Sequence, residues 1–158
     1  MRIIDKINTP ADLKKLSLNE MQSLASDMRE GILNRVNKVG GHLGPDLGIV
    51  ELTIALHYVF NCPYDKFVFD VSHQCYPHKM LTGRKNAYMN PEEYALVTGF
   101  TNPDESENDI FKLGHTATSI SLACGLARSR DLLGRKENII AIIGDGALSG
   151  GEAYEGLN

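Results

Sequence analysis

Two short apolar runs, FVFDV at residues 67 to 71 and NIIAII at residues 138 to 143, constrain the fold of this chain more than any other feature. Each lacks polar alternation and is long enough for a strand covered on both faces, as in a parallel sheet. Helical patterns surround them. Ser17 followed by Glu20 is a capping-box pattern, and Leu18, Met21, Leu24, Ala25, Met28, Ile32, Leu33 and Val36 recur at helical spacing. They predict an amphipathic helix from about residue 18 to 38. Residues 49 to 60 (IVELTIALHYVF) are apolar nearly all round and predict a helix buried on most faces. A polar helix-like piece follows at 91 to 97, and residues 116 to 133, rich in Ala, Ser, Leu and Gly, predict a helix packed closely on a sheet. After the second run come a Gly144-Asp145-Gly146 turn and a helix start around Ser149 to Ala153. This order of elements is α/β, with at least two parallel strands.

The 158 residues, 42% hydrophobic and 23% charged, suffice for one core of single-domain size. A formal charge of -4 and the lack of a Lys/Arg-rich run argue against a nucleic-acid partner, because such binding rests on clustered cations. No apolar stretch approaches the length that crosses a bilayer, and the N-terminus MRIIDKINTPADLKK lacks a signal-type apolar region. The expectation is a soluble, cytoplasmic protein. Cys62, Cys75 and Cys124 are odd in number and widely spaced, which fits reduced, space-filling thiols. Residues 101 to 109 (TNPDESEND) are polar and acidic enough to read as a mobile loop.

In open α/β sheets, ligands collect beyond the carboxyl ends of the strands. Three segments belong there or in glycine-rich loops: Asp70 to Lys79, Gly114-His115-Thr116, and Gly144 to Gly146. A strand, a glycine turn and a helix N-terminus make an anion site, because unpaired N–H groups and the helix dipole point outward. GDGALSGG lacks the GxGxxG spacing of a dinucleotide-binding turn, however, and puts the Asp145 carboxylate where phosphates would arrive. Two unit charges ~4 Å apart repel by about 4 kcal/mol at an effective dielectric of ~20. A divalent cation between them reverses the sign. Mg²⁺ takes oxygen ligands and bridges carboxylates to phosphates, so Asp145 is a candidate ligand for a magnesium diphosphate. The alternative is a tight turn in which Asp145 caps the next helix. His57, within an apolar helix, reads as a hydrogen-bonded core residue, whereas His42, His73, His78 and His115 stand in turn-forming contexts as candidates for proton transfer or anion contact. A zinc site built on His73, Cys75 and His78 is a poor match because of Pro77 and the irregular spacing.

Four segments taken in order, GGHLGPDLGIVELTIALHYVFN (40 to 61), FDVSHQCYPHKMLTGR (69 to 84), GHTATSISLACGLARSRDL (114 to 132) and GDGALSGGEAYEGLN (144 to 158), resemble the 1-deoxy-D-xylulose-5-phosphate synthases of the transketolase superfamily. The HQ-x-YPHK-x-LTGR pattern separates that family from the wider group. The resemblance implies an α/β fold with a doubly wound parallel sheet, a thiamine diphosphate-binding domain of the pyrophosphate-binding type. Residues 1 to 158 would be its N-terminal part, with the sheet incomplete and the later domains absent. It further implies a homodimer that joins pyruvate to glyceraldehyde 3-phosphate with release of carbon dioxide, giving a precursor of isoprenoids, thiamine and pyridoxal. The cofactors implied are thiamine diphosphate and Mg²⁺. By the same resemblance, His73 and the Gly114-His115-Thr116 segment look like cofactor contacts, Asp145 like the metal ligand, and Gly146 and Ala147 like backbone contacts beside it. His42 resembles the histidine that faces the substrate carbonyl.

Two departures bear on the finer reading. Ser72-His73-Gln74 stands where the family has Gly-His-Gln, and the loop GFTNPDESENDIFKLGH lacks the basic residue typical before Glu105-Ser106, which touches substrate preference. The Asn pair that completes the family's metal motif, the glutamate that activates the cofactor and the grip on the acceptor phosphate are expected beyond Asn158. The chain alone is therefore expected to be inactive and, with an open sheet edge, to self-associate. The alternatives are a transketolase-like carboligase with another acceptor and a non-catalytic module of the same fold.

Overall fold

The computed structural model describes residues 2–158. They divide into two compact units, one made of residues 2–61 and 74–99 and the other of residues 62–73 and 100–158.

The first unit is helical. It contains α1 (Pro10–Leu13), α2 (Leu18–Val39), α3 (Leu43–Gly48), α4 (Val50–Val59), α5 (Tyr76–Lys79) and α6 (Asn86–Met89), with 3₁₀ turns at Ile3–Lys6 and Pro91–Leu96. The capping box opens α2 as the sequence predicts: Ser17 N donates to Glu20 Oε2 at 3.0 Å and Glu20 N donates to Ser17 Oγ at 3.4 Å. At the other end Gly40 takes a φ of 80°, which a residue without Cβ adopts at no steric cost, and its N–H closes on Val36 O at 2.9 Å. The inward stripe of α2, including Leu24, Met28 and Ile32, packs with Val50 and Ile54 of α4 and with Tyr76, Met80 and Leu81, all buried. Each such aliphatic side chain contributes about 1.5–3 kcal/mol on burial, which holds this unit together.

The second unit is built on a two-stranded parallel sheet, β1 (Lys66–Phe69) and β2 (Ile139–Ile142), with α7 (Ser119–Leu132), α8 (Asp145–Leu148) and α9 (Gly151–Leu157). The α/β class is the one expected. Phe67 stands opposite Ile140 and Phe69 opposite Ile142, and this register is pinned by a carboxylate at one end and by a backbone hydrogen bond at the other. Asp65 Oδ1 accepts from Asn138 N at 2.7 Å and from its side-chain nitrogen at 2.9 Å, while Asp70 N donates to Ile142 O at 2.7 Å. Ala117, Ile120 and Ala153 form the small core, and the small side chains of α7 allow the close approach predicted for it. Beside β2 an apolar groove of about 530 Å³ is lined by Ile120, Ala123, Ile139, Ala141 and Ile143.

Several expectations shift in detail. The 116 to 133 helix begins at Ser119, which leaves Thr116 in the preceding loop; the helix expected to start around Ser149 to Ala153 is α9, from Gly151, but the Gly144-Asp145-Gly146 turn already runs into the short α8. Residues 101 to 109 are a bonded loop: Asn102 N donates to Asp109 Oδ2 at 2.7 Å, Asp109 N to Ser106 O at 3.1 Å, and Thr101 Oγ1 to Phe111 O at 2.7 Å. Of the acidic side chains that suggested mobility, Asp109 accepts from the loop's own backbone, Glu105 from the Asn102 side chain, and Asp104 pairs with Lys112. His78 is not a turn histidine. It is buried on α5 with its Nδ1 2.9 Å from Nε2 of His57, which is the core hydrogen bond expected of His57. No disulfide links the cysteines; Cys62 and Cys75 are buried as expected, but Cys124 is exposed. No described helix is long and apolar enough to cross a membrane.

Candidate functional site

In the second unit the site is assembled at the carboxyl end of β1. Asp70 ends that strand fully buried, and its carboxylate faces the loop before α7: Oδ1 accepts from Ala117 N and Oδ2 from Ser119 N, each at 2.9 Å. Charge-assisted bonds of this kind are worth about 1.5–3 kcal/mol apiece, enough to fix the loop carrying Gly114, His115 and Thr116 relative to the strand. The backbone on both sides of the clamp is strained. Val71, Ser72 and Ala117 have φ values of 58°, 71° and 69°, a region that costs non-glycine residues about 1–3 kcal/mol each. Ser72 is thus a left-handed residue at a position where glycine would be unstrained, and its Oγ is used, accepting from Thr101 N at 3.1 Å. Strain of this density persists only where the surroundings dictate it, and it accumulates at functional sites.

The predicted contact residues in this unit lie on three stretches. Gly114, His115 and Thr116 are exposed on the loop held by Asp70, and a turn bond from Thr118 Oγ1 to His115 O, at 3.2 Å, shapes it. Gly114 and His115 line a pocket of about 310 Å³ with Leu113, Thr118, Ser121 and Glu152. His73 follows the strained Val71-Ser72 pair and is half-buried. Asp145 and Gly146 are exposed and Ala147 half-buried in the first turn after β2. The N-cap of α8 is Gly144, not Asp145, and the Asp145 carboxylate makes no hydrogen bond among the described residues. An exposed carboxylate left without a protein partner on a strand-turn-helix junction fits a hard cation with oxygen ligands. Among the described residues no three His, Cys, Asp or Glu side chains converge to hold a metal ion. Close packing joins the clamped loop to the segment after β2: a Cβ at Gly150 would stand 2.5 Å from Ala117 Cβ, so the absence of a side chain there lets the α8–α9 link rest on the loop.

His42 belongs to the first unit, where it precedes α3 and is half-buried. Its backbone N–H donates to Tyr76 Oη at 3.2 Å, and its Nδ1 lies 3.4 Å from the same hydroxyl. Tyr76 N in turn donates to Asp46 Oδ1 at 2.8 Å. Burial pushes the Asp46 carboxyl up to about 8, against weaker opposite pulls from the Tyr76 N–H and the Arg35 guanidinium. Arg35 lies over the rings of Tyr76 and Tyr88 at 5.3 and 5.0 Å and donates to Tyr94 O and Val97 O, both at 3.1 Å. Sequence reading missed Tyr76, Asp46 and the clamping role of Asp70. For Asp70 a signal exists, since a carboxylate closing an otherwise apolar strand run has to find donors when buried.

The family model described as 1-deoxy-D-xylulose-5-phosphate synthase matches residues 4–158. The chain belongs to that family. It is 51% identical over 156 residues to the 1-deoxy-D-xylulose-5-phosphate synthase of Caldanaerobacter subterraneus subsp. tengcongensis, covering 99% of this chain and 25% of the relative. The synthase of Desulforudis audaxviator is 51% identical over 158 residues, covering 100% of this chain and 25% of that protein. The chloroplastic synthase 1 of Oryza sativa subsp. japonica is 51% identical over 156 residues, 99% of this chain and 22% of its own length. The chain thus spans about a quarter of the length of these relatives. The synthase family depends on thiamine diphosphate, a cofactor whose diphosphate is the kind of anion that the Asp145 turn suits once a cation is present.

Proposed function

We propose that this chain carries part of a thiamine diphosphate and Mg²⁺ cradle, the N-terminal part of a pyrophosphate-binding domain, in an enzyme that joins pyruvate to glyceraldehyde 3-phosphate. The products are 1-deoxy-D-xylulose 5-phosphate and carbon dioxide, so the carbon balance closes on loss of the pyruvate carboxylate. The observation that carries this reading is the unpartnered Asp145 carboxylate after β2, in the same unit as the loop that Asp70 clamps. Bound thiamine diphosphate supplies the carbanion chemistry, which no side chain provides. The protein's part is orientation and charge. Asp145 would offer an oxygen to Mg²⁺, the Gly146 and Ala147 backbone would add contacts at the diphosphate, and His73 with Gly114, His115 and Thr116 would contact the cofactor. His42 hydrogen-bonds a substrate oxygen. The family resemblance also implies a cytoplasmic homodimer.

A second reading, a transketolase-like carboligase with an uncharged acceptor, is favoured by the acidic 101 to 109 loop. Lys112, which could offset that charge, is already paired with Asp104. One experiment separates the two: this chain replaces the matching segment of the Caldanaerobacter relative, and the chimera is assayed with pyruvate and a series of aldehydes, phosphorylated and not. The first reading predicts 1-deoxy-D-xylulose 5-phosphate as the main product, and Asp145→Ala lowers the rate at least ~100-fold. Preference for a non-phosphorylated aldehyde supports the second reading. A chimera inactive with every acceptor, beside an active parent, contradicts both.

A further inference from the structure

The GGH and YPHK segments, 34 residues apart, meet at one hydroxyl. Three features bring Tyr76 Oη to His42. The Tyr76 N–H is anchored on Asp46 Oδ1 at 2.8 Å. Its ring packs against both the Arg35 guanidinium, at 5.3 Å, and the Tyr88 ring, at 5.5 Å. Finally, Gly41 has a φ of 143° and leaves room where a Cβ would stand 2.6 Å from the hydroxyl.

A phenol gives one proton and accepts elsewhere. Tyr76 Oη accepts the His42 backbone N–H at 3.2 Å, and among the described residues the acceptor within reach of its own O–H is His42 Nδ1, at 3.4 Å. Burial raises the Tyr76 pKa, so the phenol keeps its proton at neutral pH. A ring nitrogen that accepts carries no hydrogen, and a neutral imidazole then carries its hydrogen on the other nitrogen.

We propose that Tyr76 is a positioning residue that fixes His42 as the Nε2–H tautomer and sets its ring orientation, so that Nε2–H is what His42 presents to a substrate oxygen. The proposal rests on His42 as the substrate-facing residue. His42 then acts as a neutral hydrogen-bond donor to an oxygen gaining negative charge and keeps its proton throughout. Removing the Tyr76 hydroxyl removes the donor that keeps Nδ1 bare.

Nitrogen-15 resonances of labelled histidine, recorded on this chain at a pH well above the ordinary imidazole value of about 6.5, read the tautomer directly. The expected result is a bare Nδ1 and a protonated Nε2 for His42 in the unsubstituted chain, and a mixture of tautomers in Tyr76→Phe. The buried His57–His78 pair reports whether the variant is folded. A protonated Nδ1 in the unsubstituted chain overturns the proposal even if Tyr76→Phe does not fold, and so does an unchanged tautomer in a folded Tyr76→Phe. In the chimera, Tyr76→Phe is expected to lower kcat/KM by ~10-fold or more through loss of alignment. If His42→Ala retains activity, the substrate-facing reading fails while the tautomer result stands. If His42→Ala abolishes activity and Tyr76→Phe retains it, the positioning role fails alone.

Discussion

Asp70 holds Ser119 through a 2.9 Å hydrogen bond from the Ser119 backbone N–H to Oδ2, which ties the first turn of α7 to the carboxyl end of β1. With Oδ1 taken by Ala117 N, one buried carboxylate satisfies two backbone donors that no other described group reaches. Asp70→Ala leaves both donors buried and unpaired, and we expect a loss of about 3 kcal/mol in urea unfolding. Asp70→Asn keeps one acceptor and is expected to lose about half as much. A loss below about 0.5 kcal/mol for Asp70→Ala would show that the clamp does not hold the loop.

The contact between Gly150 and Ala117 yields a second expectation. A Cβ on Gly150 would sit 2.5 Å from that of Ala117, so Gly150→Ala should destabilise by about 1–3 kcal/mol through overpacking. Ala117→Gly removes the obstructing methyl and relieves a residue at φ 69°. In the double variant, most of the Gly150→Ala loss is recovered. Thermal unfolding of the four proteins measures this, and simple additivity of the two changes would contradict it.

These relationships explain how far the sequence could be read. FVFDV and NIIAII announce two buried strands because each is a local pattern, and Ser17 with Glu20 announces the start of α2 for the same reason. Asp145 is conspicuous because a carboxylate in a phosphate-type turn contradicts elementary electrostatics unless a cation is present. Tyr76 at His42 and Asp70 at Ala117 join residues 34 and 47 positions apart, so no local pattern encodes them. His78 misleads in the same way, since Pro77 suggests a turn while its ring is claimed by His57 from α4.

Asp46 gives a pH dependence with a definite sign. Its carboxyl titrates near 3.8 when unperturbed and at about 8 in the fold, where burial disfavours the charge. Its contribution to stability is complete below about pH 4 and declines as pH rises to about 8, because the unfolded chain releases the proton first. His57, held well below 6.5 mainly by burial, acts on the acid side, and the Tyr76 and Tyr88 phenols, both raised by burial from 10.0, act only near that pH and above. Asp46→Asn retains an oxygen for Tyr76 N and removes the titration. The variant should therefore have the higher melting temperature at about pH 9, with the gain shrinking as pH falls. Equal melting temperatures at that pH would mean that Asp46 ionises in the fold without penalty.

Calorimetric titration of the chimera with thiamine diphosphate and Mg²⁺, run beside its Asp145→Ala variant, tests the metal-diphosphate role of Asp145 directly. The expected result is saturable binding that needs the metal and weakens at least ~100-fold in the variant, about 2.7 kcal/mol. Equal affinity in the two proteins, or binding indifferent to Mg²⁺, would contradict the role of Asp145 and with it the reading of the β2–α8 turn as a magnesium diphosphate site.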